Sequence, residues 1–388
     1  MRLFLIAGEP SGDALGAALM RGLKALAPGV GFDGVGGPLM QAEGLVSRFP
    51  MQELSVMGLM EVLPKYRALK ARVHEMAGAV AGTAPDALLT IDSPDFCLRV
   101  ARQARALRPD LRTIHYVAPT VWAWRPGRAA KMAPFIDHVL ALFPFEPPLM
   151  QAAGMTCDFV GHPVVAERLA SPAEAAAFRA AHGIGADQPL ALCLPGSRRG
   201  EVARLGPRFD EALMRLRDRE PGLRVVLPTV AGVAQLVREM TARWPVPPLV
   251  VETPGDRRAA FAAADLALAA SGTVSLELAA NRVPMVIAYD FNRLSWLILR
   301  RMALTDTVTL VNLVSETRAI PEFLGPACRP APIARCLAML LDDEEARGRQ
   351  IAAMDLCLDR LGRGGEDPGL RAARSVLAHL RARGSLTG

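Results

Sequence analysis

The sequence is poor in lysine: 41 of its 45 basic residues are arginine, set among 39 acidic ones. Aromatic residues make up only 5%, and the six cysteines contain no C-x-x-C pair. No two aspartates are separated by a single residue, and the histidines (74, 115, 138, 162, 182, 379) show no H-x-x-x-H spacing. These absences exclude a zinc ribbon, a disulfide scaffold and the common D-x-D cation clamp, so metal-free chemistry with reduced core thiols is expected. No run approaches the roughly 18–20 apolar residues of a membrane span. The apolar start Leu3-Phe4-Leu5-Ile6-Ala7 is too short for a secretory signal before Glu9 interrupts it, which predicts a cytoplasmic protein. A net charge of +6 raises the question of nucleic acid. The arginine bias in an alanine-rich chain reads as a coding preference, however, and an anionic small ligand or a membrane surface fits modest positive charge as well.

What is present is a globular chain of 388 residues, 51% hydrophobic, long enough for two domains. Short apolar runs alternate with Ala/Leu/Arg-rich helical stretches, the pattern of parallel sheets covered by helices. Strands are predicted at Leu3–Ala7, Phe32–Val35, Ala87–Ile91, Thr113–Val117, His138–Leu142 and Asp158–Val160, with helices such as Asp13–Ala27 and Phe96–Leu107 between them. The pattern lapses around 161–189 and resumes with Leu190–Leu194, Arg224–Leu227, Leu249–Glu252, Leu266–Ala269 and Met285–Tyr289. The expectation is an α/β chain of two Rossmann-like domains, 1–163 and 164–367, facing an interdomain cleft. The helical tail 368–388 is expected to pack back on the first domain.

Ligands of such domains sit where loops leave the carboxyl ends of the strands. Gly34-Val35-Gly36-Gly37 lacks a correctly placed third glycine and is followed by Pro38, which argues against a dehydrogenase fingerprint. The first strand ends in Gly8-Glu9-Pro10-Ser11-Gly12-Asp13. Its glycines would let backbone approach a ligand, or the stretch is a tight turn capped by Ser11 or Asp13. Leu194-Pro195-Gly196-Ser197-Arg198 places a hydroxyl and a guanidinium at a strand end, and a planar guanidinium suits a diphosphate. Ser271-Gly272-Thr273 runs from a strand into a helix, where free amides would meet an anion and Glu277 could take a ribose hydroxyl. A plain cap with an early acid is the alternative.

Leu88-Leu89-Thr90-Ile91-Asp92-Ser93-Pro94-Asp95 is the most informative stretch of the first half. Ser93 before Pro94 reads as an N-cap, and Asp95 as a favourable first-turn charge. Asp92 ends an apolar strand and is needed for neither purpose. It stands where a base taking a hydroxyl proton would stand, within about 3 Å of the attacking oxygen. A brace for the loop is the competing reading.

Over most of its length the chain resembles the lipid-A-disaccharide synthases, bacterial inverting glycosyltransferases of GT-B fold. The resemblance rests on Ala7-Gly8-Glu9-Pro10-Ser11-Gly12-Asp13, Ile91-Asp92-Ser93-Pro94-Asp95-Phe96, Val117-Ala118-Pro119-Thr120-Val121-Trp122-Ala123-Trp124-Arg125, Phe143-Pro144-Phe145-Glu146, Gly161-His162-Pro163, Pro195-Gly196-Ser197-Arg198 and Ser271-Gly272-Thr273. It implies transfer of 2,3-diacylglucosamine from its UDP donor to the 6-hydroxyl of 2,3-diacylglucosamine 1-phosphate, without cofactor or metal. It further implies Asp92 as the catalytic residue, Ser197, Arg198, Ser271, Gly272, Thr273, Glu277 and Asn312 as donor-side residues, and Glu9, Ser11, Gly12 and Asp13 as an acceptor-side loop. Val311 stands where the family usually has proline.

Acylated substrates imply contact with the inner face of the inner membrane. The segment Met57–Lys70 mixes apolar and cationic residues, with Met60, Leu63 and Tyr66 placed to enter the headgroup region, and Leu294–Met302 has the same character. An internal core helix is the alternative in each case. A homodimer is compatible with the sequence, and nucleic acid is not expected as a partner. The rival functions are another UDP-sugar enzyme of the same fold, such as a cell-wall glycosyltransferase or an epimerase, and a non-catalytic nucleotide- or RNA-binding protein. The last leaves Asp92 without a purpose.

Overall fold

A computed structural model of the chain describes residues 1–54, 59–291, 296 and 301–382, with the backbone alone over 59–66. The chain forms two compact units, Met1–Ala166 with Gly364–Gly388, and Glu167–Arg363. Among the described residues, no helix is long and apolar enough to cross a membrane.

The first unit is built on a parallel six-stranded sheet, in the order β2-β1-β3-β4-β5-β6. Its strands are β1 (Arg2–Ala7), β2 (Gly31–Val35), β3 (Ala87–Ile91), β4 (Thr113–Tyr116), β5 (His138–Ala141) and β6 (Thr156–Phe159). Each residue of Ala-Leu-Leu-Thr-Ile in β3 is buried, as a central strand covered by helices on both faces requires. The second unit carries β7 (Leu190–Leu194), β8 (Arg224–Pro228), β9 (Leu249–Val251), β10 (Leu266–Ala269), β11 (Met285–Tyr289) and β12 (Glu322–Leu324). Their order, β12-β11-β10-β7-β8-β9, is that of a Rossmann sheet. The predicted strands are all present. The sequence reading missed β12, whose three residues are only half-buried.

Helix starts differ from expectation in an instructive way. The helix after β1 spans Pro10–Leu26 and begins before Asp13, because Pro10 has a fixed φ and no N–H to leave unpaired. Neither Ser11 nor Asp13 caps it. The helix Pro94–Leu107 does begin after Ser93, but Ser93 makes no capping hydrogen bond. By contrast, Asp343, within the acidic run Asp342-Asp343-Glu344-Glu345, caps the helix Glu344–Arg360, accepting from the amide of Ala346 at 2.9 Å.

The helix Pro368–Ala382 packs on the first unit against Pro10–Leu26, and two glycines permit the contact. A Cβ at Gly22 would lie 2.7 Å from the carbonyl oxygen of Gly369, and one at Gly369 would lie 2.7 Å from that of Ala18. Polar bonds fix the same helix to the sheet. Ser375 donates to Asp158 at 2.7 Å and lies 2.7 Å from Nε2 of His138, whose Nδ1 is 2.7 Å from the Thr156 hydroxyl. Burial and the neighbouring His379 hold His138 down to about 4, so it is neutral in this network at physiological pH.

Because the blocking atoms are backbone, Gly369→Ala is expected to force the two helices apart and destabilise the protein by about 1–3 kcal/mol. Urea denaturation measures this, and an unchanged midpoint would show that the glycine contact does not seat the helix.

Candidate active site

In each sheet the strand order reverses once, between β1 and β3 in the first unit and between β7 and β10 in the second. Adjacent strand ends at a reversal send their crossover helices to opposite faces, which leaves a crevice outside the sheet. The loops singled out from the sequence are the ones at these two reversals.

In the first unit, Asp92 follows β3 and is half-buried. Its Oδ2 accepts from the Ser11 hydroxyl at 3.4 Å, and its amide donates to the carbonyl of Tyr116 at 2.9 Å. Asp92 and Ser93 have φ of 52° and 42°, and Val117, after the neighbouring β4, has φ of 83°. Left-handed backbone costs roughly 1–3 kcal/mol at each such residue and persists only where the surroundings impose it. The Ser93 hydroxyl is buried and finds no hydrogen-bond partner. This concentration of strain falls at the carboxyl edge of adjacent strands, where it aims Asp92 out of the sheet.

The glycines beside it pack closely against this turn. A Cβ at Gly8 would lie 2.7 Å from the Ser93 hydroxyl oxygen, and one at Gly12 would lie 3.3 Å from the carbonyl oxygen of Ile91. They make room for the strained exit of β3. Asp13 is likewise internal. It is buried, and its carboxylate accepts from the amides of Gly37, Leu39 and Met40 at 2.9, 3.0 and 2.9 Å, which braces the loop after β2. Of the predicted acceptor-side loop, Ser11 is exposed and Glu9 half-buried, whereas Gly12 and Asp13 are structural.

A further carboxylate anchors the tryptophan block. Glu146 is buried and accepts from the amides of Leu142 and Phe143 at 3.1 and 3.0 Å and from the indole of Trp122 at 3.2 Å. Burial pushes its carboxyl up to about 7 against those three donors. Trp122 packs edge-on against Phe143 and Phe145, and those two rings stack on each other. The sequence showed the motif but not this partnership.

In the second unit, the loops after β7 and β10 line one cavity of about 340 Å³, together with Thr229, Arg257 and Glu277. A second cavity of about 650 Å³ shares Thr229, Val230, Arg257 and Glu277 with it. Both volumes suit a small ligand. Gly196 has φ of 116°, and a Cβ there would fall 2.5 Å from a carboxylate oxygen of Glu201. Glu201 accepts from the amides of Ser197 and Arg198 at 3.3 Å each, from the Arg198 guanidinium at 3.2 Å and from the Tyr289 hydroxyl at 3.1 Å. On the facing loop, Ser271 donates to the carbonyl of Val308 at 3.1 Å and Gly272 has φ of 151°. Ser271–Val274 line the cavity at the start of the helix Val274–Ala280, whose Ser275 and Leu276 amides turn back to the carbonyls of Gly272 and Thr273 at 3.2 and 2.9 Å. Glu277 lies one turn in, paired with Arg257 at 2.5 Å. Burial raises its carboxyl and nearby Glu167 adds to the shift, while Arg257 opposes them. Arg257 and the buried Thr229, whose hydroxyl has no partner, carry no local motif and were not foreseen.

A sequence model described as lipid-A-disaccharide synthetase matches residues 3–365. The lipid-A-disaccharide synthase of Ruegeria pomeroyi is 61% identical over 388 residues, covering 98% of this chain and 96% of that one. The chain belongs to the lipid-A-disaccharide synthase family. The synthase of Rhodospirillum centenum is 48% identical, with 97% and 94% covered. Among solved structures, the UDP-GlcNAc 2-epimerase of Neisseria meningitidis bound to UDP-GlcNAc superposes with a TM-score of 0.66 at 11% identity, covering 98% of this chain and all of that one. A glycosyltransferase from Rickettsia africae gives 0.58 at 13%, covering 100% and 99%. These likenesses establish the GT-B-type α/β fold.

Among the donor-side residues assigned through the family resemblance, Asn312 is the buried one. It donates to the carbonyl of Ile320 at 2.8 Å and accepts from its amide at 2.9 Å. Its amide group is spent on main chain, and it braces the segment whose Val308 carbonyl receives Ser271. It does not line the cavity. The predicted membrane contacts Met60, Leu63 and Tyr66 lie outside the residues whose side chains are described, as does most of 294–302. Among the described residues, no cluster of three or more His, Cys, Asp or Glu is placed to hold a metal ion.

Gly196→Ala should collapse the Glu201-braced loop, combining a disallowed φ with a clash. UDP affinity measured by calorimetry is expected to fall at least about tenfold, with little loss of global stability, because the loop is at the surface. Unchanged affinity would separate this loop from nucleotide binding.

Proposed function

We propose that the protein transfers 2,3-diacylglucosamine from UDP to the 6-hydroxyl of 2,3-diacylglucosamine 1-phosphate, giving the β-1′,6-linked disaccharide 1-phosphate and UDP. Family membership at 61% identity over nearly the full chain supports the reaction. The observation that carries the site assignment is the single cavity that gathers the Pro-Gly-Ser-Arg loop, the Ser-Gly-Thr loop and Glu277.

In this reading the second unit holds the donor. The guanidinium of Arg198, the hydroxyl of Ser197 and the amides of Ser271, Gly272 and Thr273 take the diphosphate, and Glu277 accepts from a ribose hydroxyl. The first unit holds the acceptor, with Glu9 and Ser11 beside Asp92. The 6-oxygen attacks the anomeric carbon from the face opposite the leaving group and inverts it. Asp92 takes the hydroxyl proton as the new bond forms. The bond to the diphosphate breaks with its electron pair, and the cation and amides around the phosphates stabilise the charge that develops.

The same reading places the protein on the cytoplasmic face of the inner membrane, with Met60, Leu63 and Tyr66 entering the headgroups, because both substrates are acylated. Their triple replacement by serine is expected to move protein from vesicle-bound to free in a flotation assay. Equal flotation of variant and parent would remove this segment from membrane contact.

The experiment for the chemistry is mass spectrometry of purified protein with the two acylated sugars, which should yield UDP and disaccharide. Asp92→Asn should lower turnover about 10²–10⁴-fold with UDP affinity unchanged. Near-parental turnover would exclude Asp92 as the base.

A further inference from the structure

The transferred proton comes from O6 of the acceptor sugar, and the phosphate is on C1; the carbons bearing the two groups flank the ring oxygen of the same pyranose. Whatever grips that phosphate must therefore lie within about one hexose of Asp92 on the first unit. The strand next to β3 supplies a candidate. The loop leaving β4 passes through Trp122-Ala123-Trp124-Arg125, and the short helix Gly127–Met132 follows.

Arg125 is held in an uncommon way. Its backbone is left-handed, with φ of 53°, and its guanidinium carbon sits 4.1 Å from the centroid of the Trp124 ring. The Trp124 indole is itself fixed, donating to the Thr120 hydroxyl at 3.1 Å. Trp122, two residues earlier, is pinned by the buried Glu146. An exposed arginine would ordinarily sample many rotamers. Here left-handed backbone and a cation–π contact with an anchored indole restrict one. Its guanidinium edge is still available, because stacking uses the face and leaves the N–H fork in the plane.

Arg128 completes the pair. Its amide donates to the carbonyl of Arg125 at 3.0 Å, so the two residues share one turn. Its guanidinium lies 3.8 Å from a carboxylate oxygen of Asp95, which is three residues beyond Asp92. That contact places the cationic loop beside the start of the helix that follows the proposed base. Asp95 is highly exposed and the separation is long, so it leaves Arg128 most of its capacity for a stronger anion.

We propose that Arg125 and Arg128 form a phosphomonoester site that grips the 1-phosphate of the acceptor and thereby sets which hydroxyl reaches Asp92. The assignment rests on the reading of Asp92 as the acceptor-side base. A phosphate on a membrane lipid offers the same chemistry, and the test separates the two sources by using a short-chain, soluble acceptor without vesicles.

Steady-state kinetics of the whole protein are compared for Arg125→Met, Arg128→Met and the double variant, each with 2,3-diacylglucosamine 1-phosphate and with its phosphate-free counterpart. Each single variant is expected to raise the KM for the phosphorylated acceptor about 10–100-fold, the effect of one charge-assisted hydrogen bond, with the donor KM unchanged. The parent's preference for the phosphorylated acceptor should vanish in the double variant, and Arg125→Lys should recover only part of it because the planar fork is lost. Unchanged KM for the phosphorylated acceptor overturns the assignment, as does an equal loss toward both acceptors, which would make the loop structural. Loss of vesicle binding with normal kinetics assigns the arginines to lipid and overturns it too. Absence of disaccharide from the parent protein with either acceptor overturns the functional reading, and this assignment with it.

Discussion

All strands of a parallel sheet leave through the same edge, and a crossover helix normally covers each exit. Where the strand order reverses, two neighbouring exits are left with no helix between them, and the chain has a crevice that it does not have to carve. Both units use that constraint. In the first, the crevice lies between the ends of β1 and β3, and strained backbone at Asp92 and Ser93 turns a carboxylate outward from a fully buried strand. In the second, it lies between β7 and β10, and two loops of small residues line a common cavity.

Internal acids and amides hold these loops in shape. Asp13 satisfies three amides of the loop after β2, Glu146 satisfies two amides and an indole, and Glu201 satisfies two amides of the Pro-Gly-Ser-Arg turn. Asn312 does the same with a neutral side chain. Each leaves few polar groups of the loop to be satisfied by a ligand, which keeps the loop formed when the site is empty. The arginine-rich composition is used in a similar way. Arg179, for example, spans the carbonyls of Gly185, Gln188 and Ala263 and pairs with Asp265, a task for a rigid fork of donors.

The central strands were legible because both faces are covered, so β3, β7, β10 and β11 read as short, nearly unbroken apolar runs. β12 was not, since Glu-Phe-Leu at a half-buried edge carries no such signal. At the site, Asp92 and the two second-unit loops were legible as small or polar residues at strand ends. Arg257 and Thr229 reach the cavity from the helix Pro254–Ala263 and the end of β8 and are joined to it only by tertiary folding. Gly8 and Gly12 left two readings open because a glycine that yields to a neighbouring turn and one that yields to a ligand look alike in one dimension. The bracing of Asn312 was not legible either: its partner, Ile320, lies eight residues on, across a bend that sequence does not announce.

The last helix belongs to the first unit, sealed by the facing glycines 22 and 369 and by Ser375 between Asp158 and His138. A ribosome delivers that helix only after the whole second unit has emerged. The amino-terminal half therefore spends most of its synthesis with an uncovered patch on the helix Pro10–Leu26 and on β5 and β6. Its maturation waits on the synthesis of the second unit, and a chain cut short before residue 368 would carry that unsealed surface for its lifetime.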